Sequence, residues 1–499
     1  MWWIDVAKPL QLDFDNVDAV IRNGAQEVSW VQQEFGGIDL GDKRLNRRLI
    51  KTTQLLAASP LSPINEACSN WASTRAAYRM FDNSKVTPKE ILKPHIDETA
   101  KRIAGCDGPV LVAQDTVFFS YGSHPNTKGL GPIGKSNDSR DRGLIMHNAL
   151  AFTTTGVPLG ILSQRIWARK DVPDESKAQK IERLRVTSLD EKESAKWITG
   201  LKDTVKNAPP GAFVVTIADR ESDFFEFIDE AKALSALFLI RARADRNLDA
   251  EENDGSDKIS EAVNSAPILG SMTIEIPGNG KRKARRAEVE VRSVEISVKP
   301  PQRRGKAKET AGIESITINV VSATEKNPPD GENAISWVLL TNLPVKCFSD
   351  AKEKVEWYAK RWGIETWHKV LKSGCKVEHC LLETADRLKR YLTLFSIIGV
   401  QLMNITYFAR VAPDTPSTDI FSQEEIEALN IRVKRQQITK GDPPTIKEAV
   451  QMIASLGGHL GRSSDGYPGM TVMWRGMFRF YESVEMYSAI KTITGLKSE

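Results

Sequence analysis

Cysteine is scarce in this chain of 499 residues: five, odd in number and scattered as Cys68, Cys106, Cys347, Cys375 and Cys380. That argues against a disulfide framework and for a reducing compartment. Histidine is nearly as rare, and the close trio Cys375, His379 and Cys380 lacks the paired spacing of a zinc site. Charge of one sign is also lacking. The net charge is +4 and the pI near 8.6, so any case for nucleic-acid binding must rest on clustering. Long apolar runs are absent except at Tyr391–Phe408, uncharged over 18 residues. That run stands alone and contains Gln401 and Asn404, so it reads as a helix buried in a large core rather than a membrane span. The opening MWWIDVAKPLQLDFDN has early acids and no apolar core of a secretory signal. The expectation is a soluble, cytoplasmic protein of roughly two to four domains.

What is present begins with WYAKRWGIETWHKVLK. Tyr358, Arg361, Glu365 and Lys372 recur there at offsets of +3, +7 and +14. At roughly 100° per residue these fall within about 60° of one another on a helix. Val355, Ala359, Trp362 and Val370 form an apolar stripe beside them. One helix would then carry a face that buries, next to a carboxylate set among two cations and a phenol. The alternative is a solvated helix with an Arg361–Glu365 pair at i,i+4.

Two β-rich runs add acids. VLVAQDTVFFSY (Val110–Tyr121) has Asp115 in its middle, and FVVTIADRESD (Phe213–Asp223) ends its apolar part at Asp219. A carboxylate in such a place is costly without a partner or a metal. Asp115, Asp219 and Glu365 together would make an all-oxygen site suited to Mg²⁺ or Mn²⁺ rather than zinc. Two such ions about 4 Å apart can clamp the attacking and leaving oxygens of a phosphodiester.

On these residues the chain resembles the bacterial cut-and-paste DDE transposases of the insertion-sequence class with a Y-x2-R-x3-E-x6-K signature. Tyr358, Arg361, Glu365 and Lys372 match it at every spacing, QDT and ADRESD resemble the two Asp motifs, and LGDKRLNRRL, AAYRMF, SWVLLTNLPV and GGHLGRSSDGYPGMTVMWRG resemble further segments. The resemblance implies catalysis by Asp115, Asp219 and Glu365 with Mg²⁺, for which Mn²⁺ can substitute. It also implies inverted terminal repeats and target DNA as substrates, a homodimer, a DNA hairpin intermediate, and a bacterial, nucleoid-associated setting. Tyr358, Arg361 and Lys372 would grip a phosphate, and Trp337 would stack on an extruded base. Arg44 and Arg48 would contact the element ends. Arg241 is a weaker phosphate candidate, against a structural ion pair, as Trp337 stands against a plain core residue.

The fold expectation is α/β. A helical end-binding domain spans 1–86, with Asp42 capping a basic helix Gly41–Ala58 and a second helical run at Ile64–Phe81. A ribonuclease-H-like catalytic domain spans 87–410. Its strands lie at Pro109–Tyr121, Leu144–Thr154, Pro158–Ala168, Phe213–Ala218 and Ala236–Ala242, and a β-rich insertion follows at about 245–350. A helical domain, 411–499, would pair two protomers. In the insertion, KRKARR (Lys281–Arg286) and PPQRRGKAK (Pro300–Lys308) suggest a DNA track.

GLGPIGKS (Gly129–Ser136) satisfies the phosphate-loop pattern letter for letter but lies between loops and leads into a strand, without the helix a phosphate cradle needs. It reads as a loop near the site, with Lys135 a candidate DNA contact. Two other classes remain open at this point: a ribonuclease-H-like nuclease or resolvase without strand transfer, and a domesticated DNA-binding protein.

Overall fold

The computed structural model describes residues 30–134, 141–171, 175–276, 285–300, 314–434, 443–462 and 465–494. Lys135, residues 281–284 and residues 301–308 of the expected cation runs lie outside the described residues.

The helical opening comprises α1 (Trp30–Phe35), α2 (Lys43–Ala58), α3 (Ile64–Ala67) and α4 (Trp71–Asp82). Asp42 does cap α2, its Oδ1 accepting from the Arg44 N–H at 2.8 Å. The single run expected over Ile64–Phe81 is two helices. Ser69 takes a left-handed φ of 58°, and Asn70 restarts the chain by accepting from the Ser73 N–H at 2.9 Å. Next comes α5 (Pro88–Ala104).

The strands and helices that follow are β1 (Val110–Ser120), β2 (Gly131–Pro132), β3 (Arg142–Thr153), β4 (Pro158–Trp167), α6 (Lys177–Val186), α7 (Ala195–Asn207), β5 (Val214–Ala218), α8 (Phe225–Ala233) and β6 (Leu237–Arg241). The insertion supplies α9 (Ile259–Ser265), β7 (Ile268–Ile276), β8 (Arg285–Val298), β9 (Ile316–Glu325) and β10 (Ser336–Thr341). The sheet runs β2-β3-β1-β5-β6-β10-β9-β8-β7, with β4 also on β3. β1, β5 and β6 are parallel, and β3 and β4 run antiparallel beside them. This is the ribonuclease-H-like order. The insertion extends the same sheet, because β10 pairs with β6 as well as β9.

Beyond the sheet lie α10 (Phe348–Ala359), α11 (Trp362–Lys369), α12 (Ala385–Val411), α13 (Gln423–Lys434), α14 (Ile446–Leu456) and α15 (Met470–Thr494). The apolar run Tyr391–Phe408 sits inside α12, which packs against β4, α5 and α14. Ser396 and Gln401 within it have partners. Gln164 donates to Ser396 Oγ at 2.9 Å, and Gln401 donates to Glu34 at 2.9 Å.

Glu34 belongs to a buried ionic hub joining four elements. It accepts from Arg102 (2.6 Å) and from His95 Nδ1 (2.7 Å). The Ile161 N–H donates to His95 Nε2 at 3.0 Å, which leaves Nδ1 as the donor to Glu34. The opening helices are thus bonded into α5, β4 and α12.

Candidate active site

The parallel ladder between β1 and β5 ends at Gln114 opposite Ala218. The next residue on each strand is an acid, so Asp115 and Asp219 emerge side by side where the pairing stops. Asp219 turns to cap a short helical turn, its Oδ1 accepting from the Glu221 N–H at 2.8 Å. Asp115 alternates onto the face covered by α11. There His368, one turn beyond Glu365, brings Nδ1 to 3.7 Å from Asp115 Oδ2. The sheet and helix therefore place Asp219 and Glu365 within electrostatic reach of Asp115.

Their electrostatics are those of like charges out of water. Burial pushes the Asp115 carboxyl up to about 7, reinforced by Glu365 and Asp219 and opposed by the Thr116 N–H and Arg361. His368 is held neutral, burial bringing it down to about 3 with help from Lys372 and Arg361. Among the described residues no three His, Cys, Asp or Glu side chains are already gathered as a metal cage. Glu365 instead accepts from Arg361 at 2.7 Å. The donor set still fits a divalent cation: carboxylates without a thiolate, one of them raised by burial and by acidic neighbours, both of which a bound cation would offset.

The signature does not lie on one unbroken helix. α10 ends at Ala359, and Lys360 and Arg361 form a joint of i→i+3 bonds to Trp357 and Tyr358. α11 then carries Glu365, and Lys372 sits in a π-helical turn at Val370–Gly374. Tertiary packing makes the joint: Tyr358 is buried edge-on to Trp337 at 5.4 Å between ring centroids. Arg361 is buried, with Nε left without a partner among the described residues. The expected apolar stripe is also interrupted, since Trp362 is 41% exposed. Lys372 lies over the Phe119 ring at 5.8 Å and 3.4 Å from Glu378.

Trp337 is buried on β10, its ring covered by Tyr358. Among the described residues Arg241 makes no ion pair of the structural kind considered above. It donates to the Ser336 carbonyl at 3.0 Å and faces Tyr358. With Arg243 and with Arg220, which follows Asp219 in the chain, it lines a groove of about 420 Å³. Arg44 is exposed and Arg48 half-buried on α2. One expectation fails within the described residues. Arg285, placed on the DNA track, is held by Glu325 at 2.8 Å and Glu332 at 2.6 Å, because β8 turns it inward between two acids. After Gly129, the phosphate-loop decoy forms β2 on β3.

Sequence reasoning missed the layer behind the acids. With its amide oxygen and nitrogen exchanged, the orientation that satisfies both, Gln114 donates to the Trp197 carbonyl (3.1 Å) and His147 Nε2 (3.2 Å) and accepts from the Leu201 N–H (3.1 Å). His147 Nδ1 in turn meets Thr116 Oγ1 at 2.9 Å. It also missed the outer face of α4, which exposes Trp71 (77%) and Tyr78 (39%) with Arg75 and Arg79 between and beside them. The helical spacing in WASTRAAYR was the available signal.

Three family descriptions match consecutive parts of the chain: Transposase DNA-binding at residues 27–86, Transposase DDE domain at 181–398, and Transposase Tn5 dimerisation domain at 397–492. The chain belongs to the DDE transposases of the Tn5 type. It is therefore an enzyme of metal-dependent DNA cleavage and strand transfer. DNA is its partner.

Proposed function

We propose that this transposase excises its element by a cut-and-paste route, with Asp115, Asp219 and Glu365 as ligands for Mg²⁺. The observation that carries this reading is the ladder end that sets Asp115 beside Asp219 under the helix bearing Glu365. Divalent cations supply activation of the attacking oxygen and stabilisation of the leaving one. The chain's own residues position the DNA. Arg361, with an unpartnered buried Nε, takes a phosphate oxygen and releases Glu365 to the site. Lys372 and Tyr358 hold the same phosphate from the flanking turns.

Water first attacks the phosphorus at the element's end, freeing a 3′-hydroxyl. That hydroxyl then attacks the phosphodiester of the opposite strand, expelling the 3′-oxygen of the flanking DNA and forming a hairpin with no covalent link to protein. Trp337 stacks on the base extruded at the hairpin, which requires Tyr358 to uncover its ring. Arg241 holds a neighbouring phosphate. Residues 1–86 bind the ends through Arg44 and Arg48, 87–410 cut, and 411–499 pair two copies. The setting is the bacterial cytoplasm, on the nucleoid.

The test is strand cleavage of end-bearing DNA with Mg²⁺, comparing wild type with Glu365→Ala. Cleavage by wild type and loss in the variant, with end binding retained, is expected. No end-dependent cleavage by wild type overturns the transposase route, and unchanged activity in the variant removes Glu365 from the site.

A further inference from the structure

The sheet face that carries Asp115 holds a second polar residue beside it. Asp115 and Asn148 are direct partners across the β1–β3 ladder, and Asn148 is in turn the direct partner of Gln164 on β4. Directly opposed residues stand on one face of a sheet with Cβ atoms about 4.5–5.5 Å apart. Asp115, Asn148 and Gln164 therefore form a row, covered by α11 at the Asp115 end and by α12 at the Gln164 end. Asn148 is 0% exposed. A side-chain amide so placed is costly unless both its oxygen and its nitrogen are bonded.

The direction of the hydrogen bonds along this row is set from α12. Ser396 Oγ donates to the Leu392 carbonyl at 2.7 Å, in preference to the weakly accepting Met146 sulfur at 3.7 Å. That uses the hydroxyl proton and leaves the oxygen as an acceptor. Gln164 must then present its amino group, and its Nε2 donates to Ser396 Oγ at 2.9 Å and to Asn148 Oδ1 at 3.0 Å. Asn148 accepts on the Gln164 side, so its own amino group is left on the other side of the amide. That nitrogen, Nδ2, is buried and has no partner among the described residues. The neighbour on that side of the row is Asp115. Its Oδ1 accepts from the Thr116 N–H at 2.8 Å, which leaves acceptor sites on both oxygens.

We infer that Asn148 is a positioning residue for Asp115: its amino group donates to the Asp115 carboxylate and fixes the plane in which that carboxylate meets a divalent cation. The inference rests on the proposed acid site. Groups that bond a ligating carboxylate orient it, and losing one typically weakens metal binding by about 10–100-fold. Gln164 and Ser396 act through Asn148 by setting which end of its amide faces Asp115.

The test is Mn²⁺ binding, read from the free-ion electron paramagnetic resonance signal. It uses the full chain on a duplex that ends at the terminal repeat bracketing its own gene, so that no bond is left to cut. Asp115→Asn on the same duplex defines the binding that belongs to the acid site. Asn148→Val should weaken that binding by about tenfold or more. Asn148→Thr, of the same shape but with a hydroxyl to donate, should recover most of it and melt where the Val variant melts. Gln164→Met, which keeps the Asn148 amide but removes its anchor, should weaken binding in the same direction, and it carries the test if the Val variant does not fold. Wild-type affinity in Asn148→Val or in Gln164→Met would overturn the inference, as would equal weakening in the Val and Thr variants. Wild type binding no more Mn²⁺ than Asp115→Asn would instead sink the acid site itself, and this inference with it.

Discussion

Replacing Glu34 by glutamine should cost more stability than any surface change in this protein. Glu34 is 2% exposed. Burial alone would raise its carboxyl, but Arg102 and His95 outweigh burial and hold it at about 2, against an ordinary 4.5. At 1.36 kcal/mol per tenfold change, that gap corresponds to about 3 kcal/mol. Removing one partner of a buried pair costs about 3–5 kcal/mol, because the other charge is left unpaired. The sign follows from a folded value below the unfolded one. The stabilisation is present above pH 4.5 and is lost as pH falls toward 2. Urea unfolding followed by tryptophan emission, from pH 7 down to pH 3, measures both. E34Q should lose about 3 kcal/mol at pH 7 and show a flatter acid limb. The double variant E34M/R102M should recover part of the loss, since an apolar pair of similar volume leaves no orphan charge. A loss under about 1 kcal/mol in E34Q, with an unchanged acid limb, would refute the idea that this hub holds the helical opening to the core.

Other expectations follow from the site. Asp115 is raised to about 7 by burial and its acidic neighbours, so metal-free protein should lose stability as pH rises from about 4 through 7. Mg²⁺ should raise the melting temperature more at pH 8 than at pH 5, and equal effects would remove Asp115 from the cation site. Gly200→Ala places a Cβ 2.5 Å from the Gln114 side-chain amide; displacing the residue next to Asp115 should cut cleavage by about tenfold or more while end binding, read by gel shift, is kept. Trp71→Ala should weaken binding to the terminal repeat by about 1–3 kcal/mol and leave repeat-free DNA unaffected; equal losses on both would show that Trp71 reads no bases.

The sheet was legible because its strands are apolar on both faces and bounded by turns, so β1, β4 and β5 begin and end within a residue or two of their expected limits. The acids were legible because carboxylates inside such strands have no ordinary reason to be there. The joint at Lys360–Arg361 was not. Residues with helical preference bend there because Tyr358 is drawn under Trp337 and Arg361 toward Glu365, contacts remote in sequence or dependent on the bend itself. The direction of Arg285 depended on Glu325 and Glu332 across the sheet. Gln114 and His147 read as ordinary strand residues until α7 packed over them. Spacing announces periodic faces, whereas pairing across the fold decides which charges turn inward.

The helix α12, 27 residues and about 40 Å long, has a consequence for how such genes can recombine. The catalytic and dimerisation matches meet at residues 397–398, in its buried middle. A crossover or premature stop at that junction would sever a rod at the centre of the molecule. Viable hybrids between relatives should have their breakpoints past residue 411, and shortened products ending earlier should be cleared by proteases.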